Sequence, residues 1–278
     1  MRWLVSLPGI WMAVLLLSAC SSSVETVKPP PPGEVKEMLY KKGHQFYVDE
    51  QYDSASAVLK RALEVDGTYL PPMTDLAEMH YALALRETGE ASPAKREHLK
   101  GAQEYFSKIE ALGRKDTDLY ERLCEVAHGL KDDNSFLKYA KKNADAYPYA
   151  RQYFNLGIAY FNVGDYQSVI RTQKAATEKF RTSSFIGSFY KQLGRAYMKV
   201  DRNQTAERTF VAGVQAVDAR LADLKKAGGD YSSADDERRL VDDKIAMLLF
   251  LKKLHQTYDE KTKLEQVERQ LREAGYSK

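Results

Sequence analysis

Residues 150–182, ARQYFNLGIAYFNVGDYQSVIRTQKAATEKFRT, decide the fold. Tyr153, Leu156, Gly157 and Tyr160 recur at the three- and four-residue spacing that lines one face of a helix. Gly164-Asp165-Tyr166 breaks that pattern with turn residues. Val169 and Ala176 then put small side chains on one face of a second helical stretch. The segment therefore reads as two helices joined by a tight turn. Gly157 lets the two approach closely, and Tyr153 with Tyr160 fills the space beside the contact.

The same pattern returns, with drift, on both sides. Residues 36–69 carry Leu39, Gly43, Phe46, Tyr52, Ala55, Leu59 and Ala62. Residues 75–116 carry Tyr81, Ala82, Leu85, Gly89, Ala102, Phe106 and Ile109, with an insertion of about eight residues near Ser92 relative to a 34-residue period. Ser92-Pro93 reads there as a helix N-cap and first helical residue. Residues 117–149 carry Tyr120, Leu123, Cys124, Ala127, Phe136, Ala140 and Pro148, and residues 187–220 carry Tyr190, Leu193, Gly194, Tyr197, Ala206 and Phe210. The small residues of the first helices, Gly43, Ala82, Cys124, Gly157 and Gly194, stand 39, 42, 33 and 37 positions apart. On these residues the chain resembles the tetratricopeptide repeat (TPR) family. It departs from the family pattern at Val169, where Ala is usual, and at Gln173, where an aromatic is usual. The resemblance implies an all-α superhelix, an α-solenoid of about five helix pairs over residues 34–226, with C-terminal capping helices over residues 227–278.

The C-terminal part shows no repeat signature. Residues 205–226 read as one overlong helix ended by Gly228-Gly229, and Ser233 with Asp236 reads as a capping box opening the next. Residues 247–251, MLLFL, are apolar on every side of a helix and belong against neighbours. A last helix aligns Leu264, Val267 and Leu271, with Gly275 just past its end. This pair suits the end cap that a solenoid needs. A second reading gives the apolar run a docking role.

The N-terminus is an address rather than fold. Arg2 precedes a short apolar run, and Leu17-Ser18-Ala19-Cys20 resembles the bacterial lipobox, which implies a signal peptide over 1–20 and lipidation at Cys20. The apolar run is interrupted by Pro8-Gly9 and is too short for a spanning helix. Ser21, rather than Asp, after the acylated cysteine implies sorting to the outer membrane, on its periplasmic side. Residues 21–33, SSSVETVKPPPPG, form a Ser/Pro-rich tether in which proline favours extended chain.

The chemistry that composition leaves open is binding. Forty-two basic and 39 acidic residues nearly cancel, and no long basic block exists, so nothing points to nucleic acid. The five histidines stand in no metal-ligand spacing, and no phosphate loop, nucleophile elbow or CxxC occurs. The expectation is a non-enzyme with no cofactor, no metal and no small-molecule substrate, whose partners are proteins, and which meets the membrane through its lipid. The family resemblance implies a concave groove lined by first helices. Its candidate residues are Tyr40, His44 and Tyr47 in the first unit, and Glu121 and Glu125 in the third. Phe154, Ile158 and Phe161 follow in the fourth, and Lys191 and Arg195 in the fifth. Acidic, apolar and basic stretches would then succeed one another along the wall, suiting a peptide with an apolar anchor flanked by charge. Tyr40 and His44 stand where chaperone-binding TPRs carry a Lys/Asn carboxylate grip, which argues against that subtype. Lipid anchor, tether and short array resemble the pilotins of type IV pilus secretins. Adaptors for periplasmic proteases or peptidoglycan hydrolases, and the TPR component of the β-barrel assembly machine, share the architecture.

Overall fold

The computed structural model describes residues 31–89, 92–226 and 234–276. The stretch read as a signal peptide with Cys20, most of the stretch read as a tether, Gly228-Gly229 and Ser233 lie outside the described residues. The chain forms α1 (Pro32–Val48), α2 (Tyr52–Val65), α3 (Leu70–Arg86), α4 (Pro93–Ala111), α5 (Thr117–Gly129) and α6 (Asp133–Ala146). It continues as α7 (Ala150–Asn162), α8 (Tyr166–Lys179), α9 (Ile186–Lys199), α10 (Asn203–Lys226), α11 (Ala234–Thr257) and α12 (Lys261–Glu273). The first five pairs coincide with the five repeats read from the sequence. α1 begins at Pro32, so Pro32 and Gly33, read as tether, belong to the helix; proline suits the first turn, where its missing N–H has no helical partner.

Five of the six turns inside the pairs share one geometry; the longer connection from α3 to α4 does not. Glu50, Lys131, Gly164, Asp201 and Asp259 all adopt positive φ, between 53° and 78°. The N–H of the next residue, Gln51, Asp132, Asp165, Arg202 or Glu260, returns to a carbonyl five positions back, at 2.8–3.0 Å. This is the Schellman closure, which satisfies carbonyls a helix end leaves open. Asp132 and Asp165 then cap α6 and α8 by accepting the N–H of Ser135 and Ser168. Ser92 caps α4 by accepting the N–H of Lys95, as its sequence suggested.

Because Asp259 closes α11 onto α12 by the same turn, the C-terminal pair continues the architecture of the repeats in its backbone. α11 also packs on α9, as α9 packs on α7. The core is a chain of three clusters: around Leu59, Leu76 and Met79; around Phe106, Leu123 and Phe136; and around Phe189, Phe210, Met247 and Leu251. Met247, Leu248 and Leu251 lie inside the last of these with Val267 and Leu271 of α12, so they are core and the docking reading of the run does not hold. Among the described residues, no helix is long and apolar enough to cross a membrane.

Candidate functional site

α1 brings Tyr40, His44 and Tyr47 to the wall that meets α3. His44 Nδ1 lies 2.7 Å from Asp75 Oδ2, and Tyr40 sets its ring edge-on to Tyr69. Burial raises the Asp75 carboxyl above the usual carboxylate range, while the His44 contact works against that rise. Burial also raises the Tyr47 hydroxyl, helped by Glu78 and Asp75. These three candidates join the first unit to the second. Met79 of α3 is only 2% exposed and belongs to the core.

α5, α7 and α11 build a more open concavity of about 290 Å³, lined by Glu121, Glu125, Arg151, Phe154, Asn155, Phe185 and Arg239. Phe154 and Phe185 meet with ring centroids 5.2 Å apart and form its aromatic side. Glu121 accepts from Gln152 Nε2 at 2.9 Å and lies 4.0 Å from Arg151. Glu125 pairs with Arg122 at 2.9 Å. Opposite them, the Arg239 guanidinium lies 4.3 Å from the centroid of the Phe185 ring and donates to Ser184 Oγ and Asp236. The pocket thus offers two carboxylates, two guanidiniums and two aromatic rings.

The remaining candidates are dispersed. Ile158 packs on the core beneath α7. Phe161 lies seven residues beyond Phe154, about 10 Å along the helix. There Tyr166 meets its edge and the Arg195 guanidinium covers its face at 4.4 Å. Burial lowers the pKa of Arg195 from its ordinary value. Lys191 is diverted: its ammonium pairs with Asp243 of α11, a carboxylate 3% exposed that also accepts from Ser188. Lys191 is thereby engaged by Asp243, and the basic side chains that line the pocket with Phe154 are Arg151 and Arg239, themselves paired with Glu121 and Asp236. The sequence reading missed Arg239 because α11 was placed outside the repeat register. Its place follows from the packing of α11 on α9, which no repeat residue announces.

Cys124 is buried against the neighbouring helix, and burial, with Glu121 and Glu125 nearby, pushes its thiol up to about 12. It is not a thiolate at neutral pH.

Among the described residues, twelve helices in sequential pairs, five of the six closed by a common turn, define an all-helical superhelix of the TPR type. No family model matches the sequence, and no curated protein does. Among solved structures, MamA superposes with a TM-score of 0.52 at 16% identity, over 72% of this chain and 98% of its own. YrrB, described as a TPR protein with an unusual peptide-binding site, superposes with a TM-score of 0.50 at 15% identity, over 67% of this chain and 92% of its own. PilW, a type IV pilus biogenesis factor, gives 0.47 at 17% identity, over 88% and 96%.

Proposed function

We propose that this chain is a lipid-anchored scaffold on the periplasmic side of the outer membrane. Its concave wall holds a protein segment during assembly of an envelope complex such as a pilus secretin. The observation that carries the binding half is the pocket lined from α5, α7 and α11, where the paired rings of Phe154 and Phe185 stand beside Glu121, Glu125, Arg151 and Arg239. An apolar side chain laid against the rings, in a segment that carries charges of both signs, would meet complementary groups there. The peptide-binding site named for YrrB supports a peptide partner for a superhelix of this kind. The anchoring half rests on the lipobox ending at Cys20 and the proline tether behind it.

The test is recovery of partners from detergent-solubilised envelope with wild type and with Phe154→Ala, both checked for unchanged helical circular dichroism. Loss of an aromatic anchor at an interface centre commonly costs 2 kcal/mol or more, about thirty-fold in affinity. A Phe154→Ala chain that folds and recovers the same partners at wild-type yield removes this reading. Separately, Cys20→Ala should leave the precursor unprocessed and shift the chain out of the outer-membrane fraction. Normal processing and unchanged fractionation of that variant would refute the anchor.

A further inference from the structure

Away from the concave wall, three helices bring a mixed donor set together at the last turn of the superhelix. Glu207 of α10, His255 at the end of α11 and Glu260 at the start of α12 place one ligand atom each within 4.8 Å of one another. The turn arranges this. Asp259 takes φ 53°, and the Glu260 N–H returns to the His255 carbonyl at 2.9 Å, which sets the two side chains facing. His255 Nδ1 then lies 2.7 Å from Glu260 Oε2. Glu260 holds the N-cap position of α12 yet makes no capping bond; its carboxylate turns from the helix toward His255 and Lys263.

The cluster already contains a cation. Lys263 Nζ lies 2.8 Å from Glu207 Oε1 and 2.8 Å from Glu260 Oε1. Its hydrogen bonds to Glu207 and Glu260 raise its pKa, and Lys263 with His255 lowers that of Glu260. The ammonium marks the point between the carboxylates that positive charge favours, and one ammonium leaves two carboxylates with net negative charge. The Lys263 side chain is 48% exposed, so its flexible stem can leave toward solvent, whereas the His255 ring is 3% exposed and fixed. Cavities of about 510 and 310 Å³ reach the cluster, the first lined by Glu207, Glu260 and Lys263, the second by Glu207, His255 and Lys263. They give an ion a route in and leave room for water as a further ligand.

We propose that Glu207, His255 and Glu260 form a Zn²⁺ site that joins α10, α11 and α12, with the Lys263 ammonium as its resident competitor. One imidazole and two carboxylates with an open position suit zinc, at about 2.0–2.2 Å to each donor. Small rotations of the glutamates draw the donors in, and Lys263 moves out. No linear motif could announce the site, because Glu207 comes from a different helix pair.

The test is calorimetric titration of the chelator-treated full chain with Zn²⁺, alongside the visible spectrum of the Co²⁺ form. Wild type should bind one ion and gain thermal midpoint with it. Lys263→Met, a change at an exposed side chain, should bind about ten-fold more tightly, because the ion no longer displaces an ammonium. Glu207→Gln and Glu260→Gln should lose at least the roughly 10–100-fold that removal of an outer-shell partner costs. His80→Gln/His98→Gln, at two histidines whose Nδ1 atoms lie 3.4 Å apart far from the cluster in sequence, should bind as wild type does. If neither wild type nor Lys263→Met takes up Zn²⁺ or Co²⁺, the cluster is an ion-pair network alone and the proposal falls. If the His80/His98 variant loses the ion, the site lies elsewhere and the proposal equally falls.

Discussion

Gly157 sits at a three-helix contact: a Cβ there would run into the side-chain amides of Gln173 on α8 and Gln192 on α9. Those amides are buried and donate to the carbonyls of Tyr153 and Phe154, at 2.9 and 3.3 Å. Overpacking a close contact costs about 1–3 kcal/mol and sometimes more. Gly157→Leu should therefore lower the urea midpoint well below that of Lys41→Ala, an exposed change expected to stay within about 0.5 kcal/mol of wild type. Equal midpoints would sink the packing account. A second residue-level expectation concerns pH. His80 is half-buried, its Nδ1 3.4 Å from that of His98 and its ring stacked on Tyr105. Burial, then the charge of His98 and of Lys60, pushes its pKa below the ordinary 6.5, while Glu104 and Glu97 pull weakly the other way. The folded state thus favours neutral His80. Its contribution to stability is full above pH 6.5 and is lost as pH falls through the folded value. His80→Gln should flatten the decline of the urea midpoint below pH 6.5; an acid limb identical to wild type would show that another group produces it.

At the scale of elements, the Schellman turns carry the pairing. Lys131 holds φ 58°, a region that a residue with Cβ occupies at a cost and glycine occupies freely. Lys131→Gly should raise the thermal midpoint or leave it unchanged, and Lys131→Val should lower it, so the order Gly, Lys, Val tests the turn. Ser92→Ala should cost about 1 kcal/mol through loss of the cap on α4. The first five pairs were legible because their helix contacts use residues a period can register: Gly43, Gly157 and Gly194 against Leu59, Gln173 and Phe210. The sixth pair was legible as two helices but not as a further repeat, because its contacts use Leu240, Met247 and Leu251, ordinary core residues without a fixed small-and-aromatic spacing. What it shares with the repeats is a backbone conformation at Asp259, and an Asp-Glu dipeptide does not declare positive φ. The lining of the pocket beside Phe154 was legible in part. Glu121, Glu125 and Phe154 follow from the register of the first helices, whereas the capture of Lys191 by Asp243 and the arrival of Arg239 depend on α11 packing against α9.

At the scale of the whole molecule, a superhelix is held by neighbour-to-neighbour contacts, so damage should remain near where it is done. α11 and α12 are bound into the last cluster. Phe210 of α10 stacks on Phe250 of α11 at 5.2 Å and 9°, and Asp243 neutralises Lys191 beneath them. Truncation after residue 233 would bare Phe189, Phe210 and Val217, all fully buried in the intact chain, and leave Lys191 without its carboxylate. Exposing that core face destabilises, whereas Lys191, already 26% exposed and no longer covered by α11, exchanges its carboxylate for water. Hydrogen exchange should then show α9 and α10 losing most of their protection, α7 and α8 losing part, and α1 to α4 keeping theirs. The same truncation removes Arg239, so the pocket beside Phe154 loses one basic side even where α5 and α7 remain folded. Full protection of α9 and α10 in the truncated chain would make the last pair a detachable cap. Loss of protection throughout would mean that the three clusters fold as a single cooperative unit instead of neighbour by neighbour.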